Sequence, residues 1–357
     1  MGHTRVSGDA PEAALQVLDH LPEGLLELDA AELCTRLPGP TLIHLPGRRE
    51  RPLFVSVLLH GNETSGWDAM RDVLGAYAGR ELPRALSLFI GNVAAARAGR
   101  RHLDHQIDFN RAWNDGTTPE HATMAAVVAE MRRRDVEFSI DIHNNTGLNP
   151  HYGCVNSTDP RFLQLARLFS RLIVYFRRPD SVQSMAFAAL CPAVTVECGR
   201  ADMSSGADHA AEFVRAVLNL SELPSHPIAA HDIDVFHTVA TVRVHPDCSF
   251  TYGETACDLR FAADLDRLNF AEVAAGTPIA TLSGGFDEPL VVTNEAGQIV
   301  TDDYLEVVDG TVRFRRTMIP AMITLDEEVI RQDCVCYLME PYPWQNTGEV
   351  PRSETTA

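Results

Sequence analysis

RPLFVSVLLHGNETSGWDAMRDVLGAYAG, residues 51–79, decides the architecture. Leu53–Leu59 is a nearly continuous apolar run that stops at His60, Gly61 and Asn62. Such a run reads as a strand covered on both faces, as strands of a parallel sheet are. The stretch from Ser65 to Gly79 then reads as a helix. A strand passing at once into a helix is the building unit of a layered α/β fold.

The same alternation extends outward. Upstream, TLIHLPG (41–47) and RPLFVSVLLHG (51–61) read as a pair of strands around a turn, and two short apolar patterns within 12–37 read as helices. Downstream, ALSLFIGN (85–92), FSIDIHN (138–144) and AVTVECG (193–199) read as strands. EHATMAAVVAEMRRR (120–134), PRFLQLARLFSRLIVYF (160–176) and DHAAEFVRAVLNLS (208–221) read as helices. After LPSHPIAAHD (223–232) the texture changes to short β-rich segments such as TVATVRV (238–244), EPLVVT (288–293) and DCVCYLM (333–339). There helical periodicity survives only around Ala262–Val273. The expected organisation is an α/β catalytic domain over 1–227, a smaller β-rich domain over 228–345 and a polar tail over 346–357.

With 45% hydrophobic and 22% charged residues the composition is that of an ordinary globular chain. A formal net charge of -19 disfavours nucleic acids and anionic membranes as partners. No apolar run approaches the roughly 18 residues of a membrane span. The start, MGHTRVSGDAPEAALQ, has no apolar core of a signal peptide, and Gly2 alone does not make a lipid anchor, so a cytoplasmic location is expected. The eight cysteines are scattered without a disulfide-framework pattern. Cys334 and Cys336 read as packed thiols. Cys198, adjacent to Glu197 on a strand, points to the opposite face.

Polar residues gather where the apolar segments stop, and open parallel sheets bind ligands beyond the carboxyl ends of their strands. His60 and Glu63 follow one strand, His143 ends another, and Glu197 closes a third. Two imidazoles and one carboxylate leave a coordination position open to water, the plan of a catalytic zinc site. Asp141, two residues before His143 on the same strand face, is placed to orient a ligand imidazole. Arg101, Asn110 and Arg111 form a cluster suited to a carboxylate or a developing oxyanion, unless Asp104 and Asp108 tie the arginines into ordinary ion pairs. Glu197 beside activated water has the chemistry of a general base. The remaining histidines lack such support, with His151, in the loop after His143, the nearest rival.

HGNE (60–63), RHLDHQIDFNR (101–111), DIHNNTG (141–147) and VTVECG (194–199) together resemble the succinylglutamate desuccinylase/aspartoacylase family, a branch of the zinc-carboxypeptidase-like fold. The resemblance implies a mainly parallel mixed sheet flanked by helices, with a smaller C-terminal β-rich domain. It implies one Zn(2+) per subunit held by His60, Glu63 and His143, with Arg101 polarising the scissile carbonyl. It implies that Asn110 and Arg111 hold the substrate α-carboxylate and that Glu197 is the base. Asn144 is a candidate hydrogen-bonding contact near the metal. The implied reaction is hydrolysis of a small N-acyl amino acid to a carboxylate and a free amino acid.

Two departures bear on the substrate. The acidic segment HLDHQID is two residues longer than the family's common RxxDxDxNR form. Aspartoacylases also place an arginine about ten residues before the base, whereas this chain has Phe187 there and no arginine between Arg178 and Arg200. Met185, Phe187 and Leu190 belong either to an apolar pocket wall or to the core, and an acylated neutral or apolar amino acid is favoured over N-acetylaspartate. A metallocarboxypeptidase acting on short peptides and a non-catalytic small-molecule binding protein are the alternatives. A homo-oligomer is the mild expectation.

Overall fold

The computed structural model describes residues 14–229, 231–283, 286 and 288–343; the polar tail expected over 346–357 lies outside the described residues. The fold is α/β, a mixed and mostly parallel sheet flanked by helices, together with a smaller β-rich sheet. The chain forms two compact units. The first holds the described residues through His143 with Pro179–Thr195 and Ala207–Ser221; the second holds Asn144–Arg178, Val196–Gly206 and the described residues from Glu222 on.

In the first unit β1 (Gln16–Leu18), β2 (Thr41–Leu45), β3 (Gly47–Val57), β4 (Leu82–Ile90) and the start of β5 (Phe138–Asn145) lie in the order β1-β2-β4-β3-β5. β3 runs parallel to both neighbours, and only β2 is antiparallel to β4. Every residue of β5 is buried, in keeping with its interior place in the sheet. Helix α1 (Ser65–Ala76) buries Trp67, Met70, Val73 and Leu74, a single stripe at helical spacing. α2 (Val93–Ala98) is capped by Asn92, whose Oδ1 accepts from the Ala95 N–H at 3.0 Å. α3 (Pro119–Arg133) starts with proline in its first turn and carries Arg132 and Arg133 in its last, both favourable at those ends.

In the second unit come β6 (Tyr152–Val155), α4 (Pro160–Arg167) and β7 (Leu172–Tyr175). The chain then gives the first unit α5 (Gln183–Ala188) and the start of β8 (Ala193–Arg200), where the Ser139 N–H donates to Pro192 O at 3.0 Å. α6 (Ser204–Asn219) follows. β9 (Asp234–Val244) pairs parallel with β7 and antiparallel with β13 (Leu290–Asn294) and β17 (Cys336–Pro341), on which β16 (Ile319–Ala321) lies. A five-stranded sheet of β10 (Phe250–Thr251), β11 (Leu259–Phe261), β12 (Pro278–Leu282), β15 (Thr311–Phe314) and β14 (Leu305–Val308) packs over a core that includes Phe250, Phe261, Val292, Phe314 and Leu338.

Several expectations need correction. The patterns within 12–37 form β1 and two 3-10 turns, Leu25–Glu27 and Ala30–Thr35, not helices. β2 and β3 are both present but β4 separates them. Only Pro46 links them, too short for a hairpin loop, and Gly47 passes so close to β4 that a Cβ there would meet the Arg84 carbonyl carbon at 2.2 Å. The helix read over 160–176 stops at Arg167, and its apolar end is strand β7. Ile173 and Val174 are β-branched and find partners in β6 and β9, so sheet pairing wins over helical continuation. Around Ala262–Val273 only the 3-10 turn Leu265–Leu268 forms.

Candidate metal centre

β3 ends before it reaches its histidine. Val57 pairs with Ile90 as the last residue of the strand. Leu58 then adopts a left-handed φ of 57°, and its carbonyl accepts from the Asn92 N–H at 2.7 Å. A bulky residue in that region is uncommon and costs roughly 1–2 kcal/mol. It turns the chain into a tight His60–Glu63 turn, closed by the Glu63 N–H donating to His60 O at 3.2 Å. Gly61 sits against α2; a Cβ on it would meet Ala96 N at 2.2 Å. β5 brings His143 to the same place, two residues beyond its last pairing with β3 at Ser56 and Asp141.

One atom each of His60, Glu63 and His143 lies within 4.8 Å of the others, and this is the one such His/Cys/Asp/Glu group among the described residues. Glu63 bridges the rings: His60 Nδ1 is 2.7 Å from its Oε1 and His143 Nδ1 is 2.7 Å from its Oε2. The ring centroids are 4.9 Å apart. All three residues are buried, at 3%, 8% and 4% exposure, so the donors face each other out of bulk water. Each outer nitrogen meets a carboxylate. His143 Nε2 is 2.7 Å from Asp141 Oδ2, and His60 Nε2 is 3.1 Å from Asp108 Oδ1. A carboxylate behind the ring holds the proton on Nε2 and leaves the Nδ1 lone pair for a cation. Two Nδ1 atoms and a carboxylate are donors that zinc accepts.

The charges support one another. Burial pushes the Glu63 carboxyl up, but His60 and His143 outweigh it and hold it well below the usual carboxylate range. Burial likewise acts against Asp108, where Arg101 first and His60 next bring it far down. For His143 burial disfavours the charged ring, yet Asp141 and Glu63 raise it well above an ordinary histidine. A cation at Nδ1 would therefore displace a proton on binding.

Asp108 joins this cluster to the arginine. Its Oδ2 accepts from Arg101 Nη2 at 2.8 Å and Nε at 3.1 Å, while Arg101 Nη1 stands 3.9 Å from Glu63 Oε1. Asp104 instead pairs with Arg100 at 2.9 Å. Asp108 also caps the turn Phe109–Arg111, its Oδ1 accepting from the Asn110 N–H at 2.7 Å. Asn110 is buried; its Oδ1 accepts from the Gln183 N–H at 2.9 Å and its Nδ2 lies 3.2 Å from His143 Nε2. Arg111 donates from Nη1 to Asn110 O at 3.0 Å.

The first unit thus gathers His60, Glu63, His143, Arg101 and Asn110, with Arg111 beside Asn110. Glu197 and Asn144 belong to the second unit. Glu197 is buried within β8, which runs on to Arg200, and Asn144 Nδ2 donates to Gly199 O at 2.9 Å. His151 packs its ring on Phe169 at 6.2 Å. Phe187 is core: fully buried, it stacks on Phe54 at 4.3 Å and meets Trp113 edge-on at 5.9 Å. Cys198, Cys334 and Cys336 are buried. The sequence pattern alone does not mark Ser56 or Gln183. The signal for Ser56 was a lone hydroxyl inside an apolar strand, which needs a partner when buried.

Residues 51–223 match the succinylglutamate desuccinylase/aspartoacylase catalytic domain, and this part of the chain belongs to that family. Its fold is similar to that of the succinylglutamate desuccinylase from Chromobacterium violaceum, with a TM-score of 0.54 at 15% identity over 85% of this chain and 87% of that one. Murine aminoacylase 3 is similar at a TM-score of 0.54 and 17% identity, over 83% and 96% of the two chains. A succinylglutamate desuccinylase/aspartoacylase from Rhodobacter sphaeroides gives 0.54 and 14%, over 84% and 88%. Comparison with curated proteins returns no match. Family and fold are consistent with an amidohydrolase acting on small acylated amino acids. Among the described residues no helix is long and apolar enough to cross a membrane.

Proposed function

We propose that this chain is a zinc-dependent deacylase that splits a small N-acyl amino acid into a carboxylate and a free amino acid. The observation that carries the reading is the convergence of His60 Nδ1, His143 Nδ1 and the Glu63 carboxylate, with Asp108 and Asp141 behind the two rings. When bound there, zinc would supply Lewis acidity to a carbonyl oxygen and lower the pKa of bound water to about 7.

The chain's own groups do the rest. Arg101, held side-on by Asp108, presents Nη1 to the oxyanion that develops on the acyl carbonyl. Arg111 and Asn110 take the α-carboxylate of the amino acid, and Asn144 adds a hydrogen bond. Glu197 accepts the proton of the attacking water and delivers it to the leaving nitrogen. The absence of an arginine between Arg178 and Arg200 favours a neutral or apolar amino acid side chain over a second carboxylate. The same reading makes the enzyme a cytoplasmic homo-oligomer, with a catalytic domain over 1–227 and a β-rich domain over 228–345.

The test is metal content of the purified protein together with turnover of N-acetyl amino acids beside short peptides. Stoichiometric zinc and faster deacylation are expected, with Glu197→Gln keeping its metal and losing about 10²–10⁴ in kcat. Preferred cleavage of peptides would make it a carboxypeptidase. A folded protein that takes up no zinc would make it a binding module.

A further inference from the structure

Ser56 interrupts the apolar run of β3, and its side chain is fully buried. In the parallel register it stands directly opposite Asp141. Its hydroxyl donates to Asp141 Oδ1 at 2.7 Å, while the other oxygen, Oδ2, faces His143 Nε2 at 2.7 Å. A second group approaches that same nitrogen. Asn110 Nδ2 lies 3.2 Å away, and the Gln183 N–H on Asn110 Oδ1 fixes the amide so that its donor end points at the ring. The two neighbours ask for opposite things. An acceptor at Nε2 keeps the ring proton there and leaves Nδ1 with a lone pair, whereas a donor at Nε2 moves the proton to Nδ1, where it blocks a metal.

We propose that Ser56 is a positioning residue for the metal centre: by holding Asp141 Oδ1 it aims Oδ2 at His143 Nε2, and so reserves Nδ1 for the ion. The assignment rests on the reading of His60, Glu63 and His143 as metal ligands. The carboxylate torsion of an aspartate is a broad, soft one. Without the hydroxyl Asp141 loses the contact that sets its plane, and Asn110 gains ground at the contested nitrogen. Partners behind a ligand histidine are worth about 10–100-fold in metal affinity.

The test compares Ser56→Ala, Asp141→Asn and the double variant by two readouts. One is zinc affinity from competition with a chelator. The other is the orientation of the Asp141 carboxylate toward His143 Nε2, read from crystal structures of the metal-free variants. Ser56→Ala is expected to weaken zinc about 10-fold and to swing Asp141 Oδ2 away from His143 Nε2, with Ser56→Thr restoring both. The double variant should bind zinc no more weakly than Asp141→Asn alone, because Ser56 acts through Asp141. If alanine does not fold, Ser56→Cys, similar in size and a poor donor, carries the same comparison. Affinity unchanged within about twofold together with an unchanged Asp141 orientation, or losses that multiply in the double variant, would overturn the assignment. Failure of the unaltered chain to bind zinc would overturn the metal reading instead. The Asp141 orientation in the metal-free protein would still decide the role of Ser56.

Discussion

Gly61→Ala is expected to disable metal binding while leaving the fold standing. A Cβ at residue 61 would meet Ala96 N at 2.2 Å, the Ala95 carbonyl carbon at 2.3 Å and Ala95 Cβ at 2.8 Å. The first two are backbone atoms of α2 and have no rotamer by which to withdraw. Ordinary contact begins at 3.4 Å, so the turn and the helix must part by more than 1 Å. Gly61 lies inside that turn, one residue from His60 and two from Glu63, and its N–H is tied to Arg101 O at 3.0 Å. Metal–ligand distances tolerate about 0.2 Å. The required displacement exceeds that several times over, while overpacking of this kind costs about 1–3 kcal/mol against a typical stability of about 5–15 kcal/mol. Zinc affinity should therefore drop by about 100-fold or more, above what loss of an outer partner does. A thermal melt of the metal-free protein and a zinc titration separate the two effects. A Gly61→Ala protein that binds zinc as tightly as the parent would refute the packing argument and the placement of the turn with it.

Asp108→Asn should cost about 10–100-fold in zinc affinity, by isothermal titration, and a further loss of kcat in the zinc-saturated enzyme because Arg101 loses its side-on partner. His44 gives a pH signature. Burial, helped by Arg134 against Glu130, brings its pKa down to about 4 from 6.5. Between those values the unfolded chain binds a proton that the folded chain refuses, so stability is full above 6.5 and falls toward pH 4, by at most about 3 kcal/mol. Urea unfolding of the parent and of His44→Gln at pH 7 and pH 5 should show the slope in the parent and a flatter one in the variant. Phe187→Ala should lower stability by about 3–5 kcal/mol in the same assay while leaving the order of preferred N-acyl substrates unchanged, since the ring is core.

The parts of the fold that the sequence announced are the ones with long, strong periodicity. β3, β4, β5, α1, α3 and α6 stand where their patterns put them, give or take an end. What escaped was short or decided by partners. β6 has four residues and α5 six, and neither repeats often enough to show a period. β7 continues an apolar helix pattern, and only β6 and β9 beside it reveal a strand. The cluster of His60, Glu63 and His143 was legible because chemistry restricts residue type so sharply where a metal can be held. The groups behind it were not equally so. Asp141 was readable from its spacing to His143, but Asp108 could have served any arginine, and Ser56 and Gln183 act through distances that only the folded backbone sets.

The pairing of Ser56 with Asp141 has a consequence for how this sheet is assembled. Side chains alternate along a strand, so sliding β3 by one position against β5 would turn the hydroxyl to the other face and carry His60 and Glu63 away from His143. A collapsed chain with mismatched strands would still look compact and β-rich by spectroscopy. It would not take up the ion. With zinc as the proposed ion, its uptake during refolding would report strand registry itself and distinguish native molecules from well-packed impostors.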